Sequence, residues 1–298
     1  MPEEICLLGG TGFLGRELYA QIRGDARFDG VRAVLVDVRS PDFPLGAGDR
    51  FFRPDELSVG TLAAVDTCVN LAATIFGRET GFERQMVELL DGALAPIHKV
   101  FPFLEPSLRT WVQISSISVY APGDGTPLVE ASPRRPPSPY GLAKLASELY
   151  LETFCRGRRL LLQSLRFGDL YGGSPAPPHD TRLLPSLLRA AAAGGGVRRF
   201  GDGEARRELL HVRDAARAIA LATLDPRPRA WNVASDEKAS FNRFVKIIEA
   251  KSGRRIPLEE VPDAVVKDHV LDGRAFASAY GFRPAVSLAS GIAEAIES

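Results

Sequence analysis

Three glycines spaced three apart, Gly9, Gly12 and Gly15, constrain this chain more than any other feature. They lie in Gly9-Gly10-Thr11-Gly12-Phe13-Leu14-Gly15, just after a short apolar run at 5–8. The next stretch places Phe13, Leu14, Leu18 and Ile22 at helical spacing. Strand, glycine turn and helix in that order make a phosphate-binding loop. One glycine allows the tight turn, one lets bare backbone approach a diphosphate, and one lets the helix pack against the strand. The helix N-terminus then aims free N–H groups and its positive dipole end at the phosphates. Asp37 ends a second apolar run at 33–36, where a carboxylate can accept the ribose hydroxyls of a dinucleotide. Its charge would repel a 2′-phosphate, which favours NAD over NADP, although Arg39 nearby could accommodate one. The plainer reading of Asp37 is a solvated carboxylate at a strand end.

Further apolar runs at 67–71, 111–114 and 160–165 alternate with helical patterns at 12–22, 82–100 (interrupted by Pro96) and 140–154. Strand–helix alternation with continuously apolar strands predicts an α/β fold, a Rossmann-type doubly wound parallel sheet covered on both faces. The second half is less regular. A glycine- and proline-rich loop at 172–180 precedes helices at 183–193, 213–224 and 241–252, and the tail at 275–297 reads as helix, turn and helix. We expect a dinucleotide-binding domain at 1–170. A smaller, interleaved substrate-binding α/β region is expected at 171–298, with about 205–235 returning to the sheet.

Charge excludes some partners. The chain of 298 residues has 37 basic and 37 acidic side chains, so it has no global attraction for nucleic acid or an anionic membrane. No run approaches the roughly 20 apolar residues that span a bilayer, and the acidic Met1-Pro2-Glu3-Glu4 start does not resemble a secretory signal. Cys6, Cys68 and Cys155 are odd in number and far apart, which fits a reducing cytoplasm better than a disulfide framework. His98, His179, His211 and His269 are scattered, and no metal site is expected.

Ser138-Pro139-Tyr140-Gly141-Leu142-Ala143-Lys144 is the second constellation. Ser138 can cap a helix that Pro139 begins. Tyr140 and Lys144 are then neighbours on one face, with Leu142, Leu145 and Leu149 expected on another, facing the core. A phenol has a pKa of about 10 and is a poor base at neutral pH. A nearby ammonium and a cationic nicotinamide favour the phenolate, and lowering the pKa by ~3 units takes ~4 kcal/mol. Upstream, Ile114-Ser115-Ser116-Ile117-Ser118-Val119-Tyr120 ends a strand, where ligands of a parallel sheet bind. Ser118 reads better as a turn residue satisfying its own backbone.

With these constellations the chain resembles the extended short-chain dehydrogenase/reductases, the NAD-dependent sugar-nucleotide epimerases and dehydratases. The resemblance runs nearly the full length. It includes the glycine loop, Asp66-Thr67-Cys68-Val69-Asn70-Leu71-Ala72-Ala73, the serine-rich strand end and the Tyr140/Lys144 pair. It continues through Leu165-Arg166-Phe167-Gly168-Asp169-Leu170-Tyr171-Gly172, Gly201 to Asp214, Trp231-Asn232-Val233-Ala234-Ser235 and Tyr280-Gly281-Phe282-Arg283-Pro284. It implies Ser116, Tyr140 and Lys144 as catalytic residues. It implies cofactor contacts from Gly9, Gly12, Phe13, Leu14, Asp37, Leu71, Ala72, Ala73, Ser115, Tyr140, Lys144 and Phe167. Substrate contacts would come from Thr74, Ser116, Ser118, Asp169 and Arg207, the last gripping a diphosphate through its planar fork. The alternative for Arg207 is one more solvated arginine.

Three departures bear on the reaction. Asp169 stands where the family often has Asn. Leu89-Leu90-Asp91-Gly92 lacks the asparagine of N-x-x-G. Ser116-Ile117-Ser118 replaces the Thr-Asp-Glu set that resembles that of hexose 4,6-dehydratases. The leading expectation is an epimerase acting on a nucleotide sugar through a keto intermediate, as a homodimer paired through helices 82–100 and 140–154. The alternatives are a one-way NAD(P)-dependent ketoreductase or dehydrogenase on a deoxysugar nucleotide, and a non-catalytic NAD(H)-sensing or scaffold protein.

Overall fold

Alternation at period two builds the centre of the molecule. In the first strand, β1 (Glu4–Leu8), Ile5 and Leu7 point into one apolar layer and Cys6 and Leu8 into the other, all at most 3% exposed. Ala33 and Leu35 repeat the first pattern, Val34 and Val36 the second. Burial of both faces is what a helix-covered parallel sheet requires. The structure, a computed structural model, describes residues 1–73, 82–104, 107–121, 123–173 and 183–297.

After β1 come α1 (Phe13–Gly24), β2 (Arg32–Val36), β3 (Arg50–Phe52), β4 (Thr67–Asn70), α2 (Phe82–Leu104), β5 (Thr110–Ser116) and α3 (Pro139–Cys155). β6 (Leu161–Phe167), β7 (Asp169–Tyr171), α4 (Leu183–Ala193), β8 (Val197–Phe200), β9 (Arg206–His211) and α5 (Val212–Leu224) follow. The chain ends with β10 (Ala230–Val233), β11 (Lys238–Ser240), α6 (Phe241–Ser252), β12 (Leu258–Val261), α7 (Arg274–Tyr280) and α8 (Leu288–Glu297).

Seven strands form a wholly parallel sheet in the order β10-β6-β5-β4-β1-β2-β3. The winding reverses between β1 and β4, which places a ligand crevice off the carboxyl ends of those strands. Leu18 and Ile22 of α1 and Ile219 of α5 are buried on one face, and Val100 of α2 and Leu151 of α3 on the other. The expected doubly wound Rossmann-type sheet is present. β7, β9 and β11 make a second sheet, and β8 pairs with β12. Beside them Leu187, Phe244, Ile248 and Ile292 close a separate core. Among the described residues no helix is long and apolar enough to cross a membrane.

Two expectations fail locally. Pro96 does not interrupt α2, which runs through Pro96 and Pro102 to Leu104. A proline inside a helix costs about 3 kcal/mol or more. Burying Ile97, Val100 and Leu104 completely returns about 1.5–3 kcal/mol each, so packing wins. On α3, Leu142 and Leu149 are 37% and 45% exposed, and only Leu145 of the three leucines is buried. The buried stripe is instead Ala143, Lys144, Ser147, Glu148 and Leu151. Lys144 and Glu148 face inward because their partners, the Ile114 carbonyl and Arg166, lie on the sheet, and Ser147 donates to helix carbonyls.

Candidate active site

The glycine loop is shaped by contacts that no side chain could share. Gly9 has φ +82°, and a Cβ there would lie 2.8 Å from the Ala72 backbone nitrogen. A Cβ on Gly15 would lie 2.5 Å from the Gly9 carbonyl oxygen and 2.6 Å from the Gly10 carbonyl. Gly12 is the N-cap of α1 and offers no side chain to its first turn. Phe13 and Leu14 open that helix, both packed toward the core. Asp37 follows β2, and its Oδ2 accepts from the Thr11 backbone N–H (3.1 Å) and the Thr11 hydroxyl (2.7 Å). Its Oδ1 accepts from the Val38 N–H at 2.7 Å. Thr11, which sequence reasoning passed over, thus ties the acidic strand end to the loop.

Leu71, Ala72 and Ala73 leave β4 beside this loop. The Leu71 N–H donates to Leu8 O (2.8 Å) and the Ala72 N–H to Asn70 Oδ1 (3.2 Å). Asn70 in turn donates to Gln113, which also accepts from the Trp111 indole. This buried trio under the crevice was not legible as a unit in the sequence.

Ser116 ends β5, and a 3-10 turn over Ile117–Val119 follows. Its Oγ accepts from the Ser118 N–H at 3.1 Å, so its own proton stays available to another oxygen. Ser118 is half-buried in that turn. The first turn of α3 packs onto it so closely that a Cβ on Gly141 would lie 2.2 Å from Ser118 O. That approach, with Ser138 capping the Gly141 N–H (3.2 Å), brings Tyr140 to the serine turn. Lys144 is 6% exposed, donates to Ile114 O at 3.1 Å, and has its Nζ 5.9 Å from the Tyr140 ring centre. Burial pushes its ammonium down to about 8, opposed by the Glu148 carboxylate. Tyr140 and Lys144 share a small cavity with Ala72, Ala73, Ala143 and Leu89. An apolar side chain therefore stands where the family's asparagine would be.

The remaining predicted residues extend from this centre along the strands. Phe167 stands level with Ser116 in register, its ring in the core. Asp169 lies two residues on and pairs with Leu209. Arg207, two residues before Leu209, shares that face of β9. It also pairs with His269 through an isolated bridge. Burial, and after it the Arg207 charge, hold the His269 imidazole below its ordinary value. Thr74 lies outside the described residues. Tyr120 is wholly buried, away from the crevice, bonded to Asn232 Oδ1 (2.6 Å) and to Arg166 (2.8 Å).

The model of the NAD-dependent epimerase/dehydratase family matches residues 5–234. The chain belongs to the NAD-dependent epimerase/dehydratase family. It is 25% identical to a dTDP-glucose 4,6-dehydratase of Streptomyces griseus over 99% of this chain and 94% of that one. It is 24% identical to a UDP-glucose 4-epimerase of Halalkalibacterium halodurans, over 87% and 83% of the two chains. Among solved structures it is similar to MoeE5 in complex with UDP-glucose and NAD, with TM-score 0.82 and 28% identity, covering 99% and 97%. The family thus contains both epimerases and dehydratases.

The residues present fit the family's NAD. The loop offers bare backbone at Gly9 and an uncapped helix end at Gly12. The Ser115 hydroxyl is buried and has no partner among the described residues, as a group kept for a ligand would be. Gly15→Ala tests the cradle. Alanine is about 1 kcal/mol the better helix former, but its Cβ would overlap backbone that cannot rotate away. We expect the NAD dissociation constant to rise at least about tenfold, or ~1.4 kcal/mol, in a calorimetric titration. Unchanged affinity would show that the loop does not hold the dinucleotide.

Proposed function

We propose that this protein is an epimerase acting on a nucleotide-activated sugar, oxidising one carbinol to a ketone and reducing it on the opposite face. What supports this reading is the Tyr140–Lys144 pair on one face of α3, whose first turn packs against the turn that follows Ser116, with Ile117 and Ser118 where a dehydratase-like site would carry two acids. Bound NAD supplies the hydride acceptor and donor. Ser116 donates a hydrogen bond to the sugar oxygen and orients it. Tyr140 takes the hydroxyl proton and later returns it, and the Lys144 ammonium makes the phenolate accessible. Alignment of the reacting carbon matters most, since hydride transfer needs near-contact geometry.

Elimination of water would need a further acid–base pair. Ile117 is 5% exposed in an apolar cluster with Val119 and Leu145, and it has no proton to exchange. This favours epimerisation over dehydration. Arg207 would grip the substrate diphosphate, with Asp169 on the same face selecting among sugars. Leu142 and Leu149 on α3 and Val87 on α2 (60% exposed) form the apolar face through which we expect a homodimer. The three buried free cysteines suit a reducing cytoplasm.

A thermal-shift screen of nucleoside-diphosphate sugars with NAD present tests the substrate class. A ligand at 100 times its dissociation constant stabilises the folded state by about 2.7 kcal/mol. We expect at least one uridine or thymidine diphosphohexose to raise the melting temperature. No shift with any of them would overturn the nucleotide-sugar reading.

A further inference from the structure

We propose that Glu148 is a positioning residue that keeps Lys144 in its ammonium form, and that Arg166 sets how much of the Glu148 charge Lys144 receives. This rests on the reading of Lys144 as the partner of Tyr140. Tyr140, Lys144 and Glu148 follow one another at four-residue spacing, one stripe of α3 turned toward the sheet. Glu148 is completely buried, an expensive place for a carboxylate, yet it does not join the glycine loop or the substrate strands. Its Oε1 and Oε2 accept from Arg166 Nε (2.9 Å) and Nη2 (2.6 Å). Arg166 is 1% exposed and stands in register with Ser115, the residue after the Ile114 carbonyl that anchors Lys144.

Among the described residues the other groups around the pair are few. Arg134, from the loop before α3, reaches Glu148 Oε2 at 3.4 Å and is held more closely by Glu152 at 2.8 Å. Tyr120 binds the far side of Arg166 at 2.8 Å, with Glu130 beyond it. Toward Lys144, α2 presents Leu89 and Ala93, and the end of β4 presents Ala72 and Ala73, none of which titrates. Among the described residues Glu148, one helical turn from Lys144, is therefore the carboxylate that opposes the cost of burying the ammonium. Arg166 competes with Lys144 for that charge.

The two halves of the ion pair should then move Lys144 in opposite directions. Glu148→Gln removes the stabilising charge, and the Lys144 pKa should fall by about one unit, as loss of an opposite charge one helical turn away implies. Arg166→Met frees the carboxylate for Lys144, and the pKa should rise. A merely structural role gives a different pattern, because a loosened site hydrates the ammonium and raises its pKa in both variants. In activity terms the ammonium is lost as pH rises through its pKa. The alkaline limb would start earlier in Glu148→Gln and later in Arg166→Met.

The readout needs no substrate. The chain has only six lysines, so a spectrum of protein carrying 13C at lysine Cε is simple. The Lys144 signal is the one missing in Lys144→Met. Its titration midpoint in the parent protein is expected near about 8. Should Glu148→Gln fail to fold, the double variant Glu148→Gln/Arg166→Met removes both charges and is expected to show a smaller fall, because the repelling Arg166 charge goes with the carboxylate. A midpoint at or above the parent value in Glu148→Gln, or in the double variant, overturns the role of Glu148. A midpoint that does not rise in Arg166→Met overturns the role of Arg166. If Lys144 titrates as expected while Tyr140→Phe remains active, the functional reading fails and this inference stands.

Discussion

Tyr140→Phe is expected to lower kcat by about 10²–10⁴-fold, the usual worth of a positioned general acid–base. The NAD dissociation constant should change by less than about threefold, or ~0.7 kcal/mol. The split follows from how the site is built. Lys144 is anchored by the Ile114 carbonyl at 3.1 Å, so the lysine stays in place when the phenol oxygen is removed. The phenyl ring keeps its place on the first turn of α3, which the Ser138 cap and the contact of Gly141 with Ser118 hold. Only proton transfer is lost. Steady-state kinetics with a nucleotide sugar found in the screen, together with an NAD titration, check both halves. A variant with full turnover would remove Tyr140 from the chemistry.

The second large effect is on stability. Glu148→Leu leaves the Arg166 guanidinium buried and without its carboxylate, which costs about 3–5 kcal/mol. Glu148→Leu/Arg166→Met removes both charges and fills the space with apolar atoms. Such replacements are often neutral or stabilising by about 1–4 kcal/mol. The double variant should therefore recover most of the loss, with the urea midpoint moving and its slope unchanged. Tyr120 would keep its bond to Asn232 at 2.6 Å in both variants. Equal destabilisation of single and double variants would mean that the pair contributes packing and not paired charge.

The residues that were legible in the sequence owe this to short-range geometry. Gly9, Gly12 and Gly15 must serve one turn and one helix start, and Tyr140 and Lys144 must share one helix face. Both constraints act within a short stretch of chain and survive any tertiary arrangement. The polar network could not be read this way. Tyr120 and Asn232 are 112 positions apart, Asn70 and Gln113 are 43, and Thr11 and Asp37 are 26. Helical periodicity also failed on α3, since it ranks leucine above lysine and glutamate for the inner face. Arg166 and the Ile114 carbonyl reverse that order by offering buried partners. Pro96 of α2 reads as a breaker for the same reason, because the burial that outweighs it lies against distant strands. Asp169 and Arg207 share a face only because β7 and β9 pair in parallel; β7 has three residues, and β9 opens on the charged Arg206-Arg207-Glu208, which hides its apolar end.

The epimerase account is tested most directly by proton NMR of a nucleotide sugar that raises the melting temperature, incubated with the protein and NAD in D₂O. Hydride that is removed and returned within one site never meets solvent. The expected result is the epimer, with its carbon-bound hydrogen retained at the inverted position. A 4-keto-6-deoxy product, or deuterium at the inverted carbon, would contradict the account.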